Sequence, residues 1–320
     1  MIARLPGFTN SRIEHLVASL DSLIDGDRAV SELLFCGEEA VPYLEHFLLA
    51  GSPRTIALPR CRAVHALGEL GAYSILMAYF REYEPPADPE VLFAEDAVRS
   101  AVARELLNWK SDEVYRVLLE AARRRASSGL VLALGEFRKP ESVPMLFAIL
   151  EDDLCREEAI EGLRKIPVIA REYAILSVRG KTETDLFALG ASRRRRATLQ
   201  LLVEFGVTRE EWADLRSFLE EPDSAVVIAT AHLGFQAGPE GDYPGIIEAL
   251  LRVSAHINWA QEDEIARLLD AHRDLASELA RKIAEERQKR GEQPNWLLPS
   301  WRVLKHLLGR NLGSQASGAA

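Results

Sequence analysis

Apolar residues recur along most of this chain at intervals of three and four, the spacing that lines one face of a helix. In RCRAVHALGELG, Ala63, Ala66, Leu67 and Leu70 stand at i, i+3, i+4 and i+7. Gly71 reads as the stop, and Ser74 to Phe80 supply a second helix. The same pairing is predicted for Asp27 to Phe35 with a helix opened at Val41-Pro42, for Glu95 to Ala122 broken at Lys110-Ser111-Asp112, for Ser127 to Leu150, and for Cys155 to Val178 with a turn at Ile166-Pro167. Beyond Gly180 the pattern predicts Ser192 to Phe205 with Arg209 to Leu219, Thr208 acting as N-cap, then Ser224 to Phe235 with Ile246 to Val253. Trp259 to Arg290 is helical and more polar. Alternating runs of Val, Ile and Thr are almost missing, so the fold class is all-α.

A second regularity lies above the helical one. Val41-Pro42, Val143-Pro144 and Tyr243-Pro244 each open an apolar helix, and the intervals from Pro42 to Pro144 to Pro244 are 102 and 100 residues. Proline at the first helical position loses no internal hydrogen bond. Intervals of this size equal three units of about 34 residues, the period of stacked helical repeats. The expected architecture is an α-solenoid, a right-handed superhelix of about seven to eight helix pairs over residues 1–293. Residues 81–94, which contain EYEPPADPE, read as an inserted loop because its prolines oppose a helix. Tyr79, Phe80 and Tyr83 are its candidate contacts to a partner. Residues 294–310 read as a capping or interaction helix and 311–320 as a disordered tail.

The string from Arg62 to Gly71 resembles the core of HEAT repeats of the short bacterial kind, called phycobilisome-lyase-like. Leu132 to Phe137 followed by Val143-Pro144-Met145-Leu146 resembles it again, with weaker copies at Cys155 to Pro167 and Arg193 to Gly206. The resemblance covers about Asp27 to Leu251 and implies stacked hairpins with a concave binding face. It permits three functions: a non-catalytic scaffold that binds a protein partner, a bilin-lyase-like or other cofactor-handling protein, and a nucleic-acid binder like the HEAT-like alkylpurine glycosylases. The scaffold is the first reading, with no cofactor.

Composition narrows these. Hydrophobic residues at 48% and charged residues at 28% suit an ordered globular chain. Lys and Arg number 39 against 49 Asp and Glu, a net charge of −10, which opposes a protein built mainly to neutralise phosphates. Cys36, Cys61 and Cys155 show no CxxC spacing and suit a reducing compartment. MIARLPGFTNSRIEHL lacks the unbroken apolar stretch of a secretory signal, and no run is long enough to span a membrane, so the expected location is cytoplasmic.

Candidate chemistry is sparse. Gly180-Lys181-Thr182 resembles the end of a phosphate-binding loop, but position 175 is Ile175 where that loop needs glycine. The family's di-iron members imply repeated His-Glu pairs. None is present, the histidines share no ligand spacing, and no metal is expected. No GxSxG elbow exists, which weakens a catalytic reading. Arginines remain the strongest signal. Arg62, Arg99, Arg194 and Arg195, with His65 and Glu69, fall on helices expected to line the concave face. There they would hold an acidic peptide, phosphate or nucleic acid. The runs Arg193 to Arg196 and Arg123 to Arg125 also read as solvated faces, since consecutive helical residues diverge by about 100°. In the C-terminal helix Trp296 and Trp301 with Leu304, Leu307 and Leu308 offer an apolar side to the stack, to a partner or to a membrane surface.

Overall fold

The computed structural model describes residues 10–51, 53, 55–178, 192–293, 295 and 297–316, with the backbone alone at 192 and 309–316. Every regular element among them is helical. The chain divides into two compact units, Met1–Ile166 and Pro167–Ala320, where the sequence reading placed one array over 1–293. The boundary falls in the Ile166-Pro167 turn.

The first unit contains α1 (Asn10–Ser19), α2 (Gly26–Cys36), α3 (Val41–Glu45), α4 (Leu58–Glu69), α5 (Tyr73–Glu82), α6 (Pro89–Leu106), α7 (Asp112–Arg124), α8 (Ser128–Phe137), α9 (Val143–Ile149) and α10 (Arg156–Arg164). The second contains α11 (Pro167–Val178), α12 (Ser192–Phe205), α13 (Arg209–Leu215), α14 (Ser224–Ala237), α15 (Tyr243–Val253), α16 (Trp259–Leu268), α17 (Arg273–Lys289) and α18 (Pro299–Ala316). The recurring prolines behave as their position requires. Pro42, Pro144 and Pro244 sit in the first turn of α3, α9 and α15. In each case a short 3-10 turn leads in: Gly37–Ala40, Pro140–Ser142 and Glu240–Asp242. Gly71, at φ +74°, adopts the left-handed conformation that a helix stop requires. Thr208 caps α13 in a reciprocal box with Glu211.

Packing follows a rule of alternates. In the first unit α2 packs on α4, α4 on α6, α6 on α8 and α8 on α10, while α5 packs on α7. In the second, α12 packs on α14, α14 on α16, α16 on α18, α11 on α13 and α15 on α17. The cross-helix bonds fix the direction of several of these neighbours. Between α4 and α6, Arg60 reaches Glu95 and His65 reaches Glu105. Between α6 and α8 the Gly129 amide donates to Ser100 Oγ at 3.1 Å, and between α8 and α10 Lys165 donates to Glu136 at 2.7 Å. In the second unit Arg196 bonds Asp223 and Gln236 donates to the Val203 carbonyl. Arg171 meets Glu211, Lys282 meets Glu248, and Arg302 meets Glu262. Where two positions are fixed, as between α4 and α6 and between α12 and α14, a later residue on one helix meets a later residue on its neighbour, so these pairs run parallel.

Two expectations are corrected in detail. The segment 81–94 is mostly helix: α5 continues to Glu82 and α6 begins at Pro89, leaving only 83–88 as connection. Pro89 occupies the first turn, and the Asp88 carboxylate accepts from the Glu90 amide at 2.8 Å, so the third proline starts a helix instead of preventing one. The last helix runs to Ala316, into the stretch expected to be a disordered tail. Its apolar side faces the stack, as expected of a capping helix. Trp301, Leu304 and Leu307 are buried, α18 packs on α16 and α17, and Leu308 alone of that set is exposed.

A buried charge cluster and the groove beside it

Arginines in this fold close helix ends. The last carbonyls of a helix have no partner within it, and a cation placed there also meets the negative end of the helix dipole. Arg62 on α4 donates to the Leu20 and Ser22 carbonyls beyond α1, at 2.9 and 2.8 Å, and its Nε bonds Asp27 at 2.8 Å. Arg60 donates to the Leu48 carbonyl in the turn after α3 at 2.7 Å. Arg99 on α6, 0% exposed, donates to the Ala121 and Arg125 carbonyls at the end of α7, at 3.0 and 2.6 Å. Arg156 donates to the Leu150 carbonyl after α9, and Arg252 to the Leu219 carbonyl after α13.

This overturns part of the site read from the sequence. Arg62 and Arg99 are buried and bonded to backbone carbonyls and carboxylates, so they do not present charge to a ligand. Tyr79 and Phe80 are buried too, their rings packed edge to face, and only Tyr83 of that trio keeps partial exposure. Arg195 pairs with Glu221 at 2.8 Å and Arg194 also has polar interactions, so neither stands apart as a free cation. His65 and Glu69 are exposed, but His65 faces Glu105 on α6. The sequence reading assembles these residues into one face; the bonds place Arg62 and Arg99 at two separate helix ends. Gly180, Lys181, Thr182 and Trp296 lie outside the described residues.

The structure instead gathers a polar cluster that sequence reasoning missed. Arg60 on α4 and the Tyr79 hydroxyl on α5 both donate to Glu95 on α6. All three side chains are buried. Burial raises the Tyr79 phenol well above its ordinary range, and the adjacent Glu95 charge raises it further. One residue along, Asp96 accepts Arg99 at 3.2 Å and two parallel bonds from Arg125, Nε at 2.8 Å and Nη2 at 2.6 Å. The hydrogen bonds to Asp96 raise the Arg125 pKa above its usual value. The Arg99 guanidinium lies 4.7 Å from the centre of the Tyr83 ring, completing the cluster. The signal available in advance was spacing: Arg60 and Glu95 are separated by the same 35 residues as Arg62 and Asp27.

Asp96 and Arg125 also form one wall of a groove of about 600 Å³ where the N-termini of α8 and α10 approach the first half of α6. Arg104, Arg124, Ser127, Asp152 and Cys155 line it, with Phe93 at its mouth. Burial pushes the Cys155 thiol up to about 12, with Asp152 and Glu158 adding to the shift, so it is neutral and contributes no charge. Among the described residues no group of three or more His, Cys, Asp or Glu side chains is placed to hold a metal ion, and no helix is long and apolar enough to cross a membrane. No protein-family model, curated protein or solved structure matches this chain.

Proposed function

We propose that each unit is a short stack of helical hairpins of the α-solenoid kind, similar to HEAT repeats, and that the protein is a non-catalytic scaffold for a protein partner. The rule of alternates supports the first part: most helices pack on the helix two places along as well as on an immediate neighbour. The cysteines Cys36, Cys61 and Cys155 are all unpaired, which favours a reducing compartment such as the cytoplasm.

One observation carries the binding role. Because alternate helices of the first unit are parallel, the N-termini of α2, α4, α6, α8 and α10 follow one another along a single edge. At or just before these ends stand Leu23, Ile24, Ile56, Phe93 and Leu154, each more than 60% exposed. Apolar side chains repeated along one edge favour a partner that buries them together. The binding face thus shifts from the inward arginines to the edge carrying the helix starts. Affinity capture with the wild-type protein and with a Leu23→Ser, Phe93→Ser, Leu154→Ser variant tests it. A partner retained by the first and lost by the second supports the scaffold reading. Identical capture by both, or capture by neither, removes it.

A further inference from the structure

We propose that the groove beside α8 binds a phosphomonoester whose phosphoryl group docks at the N-terminus of that helix and whose apolar body rests on Phe93 and Leu154. The site does not depend on the scaffold reading. Its centre is Ser127, the residue at the N-cap position of α8. Serine there ordinarily accepts a hydrogen bond from a first-turn amide. Ser127 makes no such bond, because Ser100, reaching over from α6, takes the Gly129 amide. The Ser127 hydroxyl is left without a hydrogen-bond partner in a residue only 4% exposed, and that residue lines the groove. Leaving a buried hydroxyl unsatisfied is costly, so the position favours an acceptor that enters.

Three kinds of donor converge on this place. Ser127 supplies a hydroxyl. The Ser128 amide, first in α8, has no acceptor within the helix and lies at the positive end of the dipole. Arg104 lines the same groove and adds positive charge; Arg124 lines it too, in an exposed ion pair with Glu120 at 3.5 Å. The Arg125 charge is already held by Asp96. Donors arriving from separate directions suit the three oxygens of a phosphoryl group better than a planar carboxylate. Asp152 on the wall is an acceptor, and its carboxylate takes the Leu154 amide at 2.8 Å. It disfavours a bare, highly charged anion and favours a ligand with one phosphate and an uncharged remainder. Phe93 and Leu154, both 71% exposed at the groove, provide the surface for that remainder.

Thermal unfolding of the full chain at constant ionic strength, with phenyl phosphate, inorganic phosphate or benzoate, tests the assignment. Phenyl phosphate should raise the melting temperature saturably, more tightly than inorganic phosphate and than benzoate. Ser127→Ala should unfold at the same or a higher temperature without ligand, and should weaken phenyl phosphate about tenfold or more. Arg124→Gln, at an exposed position, should weaken it as well while leaving the fold intact. A wild-type protein that does not respond, an equal response in Ser127→Ala, or benzoate binding as tightly as phenyl phosphate would overturn the proposal.

Discussion

Gly135 of α8 and Gly162 of α10 meet with no room for a side chain between them: a Cβ placed on Gly135 would lie 2.5 Å from the Gly162 Cα. The two helices can approach this closely only because both positions lack one. In an unconstrained helix, replacing glycine by alanine stabilises by about 1 kcal/mol. At Gly135 the sign reverses, because the opposing atom is backbone. Gly135→Ala should lose about 1–3 kcal/mol, the usual cost of overpacking. Urea denaturation reads the change, and a gain in stability would contradict the close approach.

The Arg60 and Glu95 pair makes a second demand. Removing one member of a buried ion pair strands the other charge, at a cost of about 3–5 kcal/mol, whereas apolar replacement of both is much milder. Arg60→Met should therefore destabilise strongly, and Arg60→Met with Glu95→Leu should recover much of the loss. The Tyr79 hydroxyl, which also donates to Glu95, limits that recovery. A double variant no better than the single one would show that the pair acts independently of its charges.

Cys155 gives a pH signature. Its thiol, ordinarily at 9.0, is raised to about 12 by burial. A group whose pKa is higher in the folded state contributes stability that is complete below its unfolded pKa and is lost as pH rises through the folded value. The native protein should accordingly lose stability between about pH 9 and 12 more steeply than Cys155→Ala. Urea midpoints at pH 8 and 10 measure this, and alkylation of Cys155 at pH 8 should be slow until the chain unfolds.

The exposed edge is expected to be energetically quiet in the isolated protein. Leu23→Ser and Phe93→Ser remove side chains that touch little, so each should change unfolding stability by no more than about 0.5 kcal/mol. A loss well above that, measured in the same urea series, would mean these residues serve the fold and not a partner.

Helix positions and the hairpin rhythm were legible in the sequence because both rest on local rules. Three-four spacing placed α4 and α5, and the proline steps placed α3, α9 and α15 close to their observed starts. The arginines were misread for the opposite reason. What Arg62 and Arg99 bind is mainly backbone carbonyl, which every residue carries, so no side-chain pattern marks the partner. The connection at 83–88 is drawn too long in the sequence reading because Pro89 counts there as a breaker, although a proline directly after a capping aspartate opens a helix readily. Ser127 was visible only as the start of a predicted helix. That the Gly129 amide of α8 is capped by Ser100, 29 residues earlier, depends on how α6 and α8 stack.

The regular spacing of the cross-helix bonds has a kinetic meaning. None of the inter-helix bonds described above joins residues more than 42 positions apart. Each can form once two adjacent hairpins have condensed, without waiting for distant parts of the polypeptide to find one another. The bonds described close only small loops on the way to the native state, and contacts of short sequence separation go with faster folding.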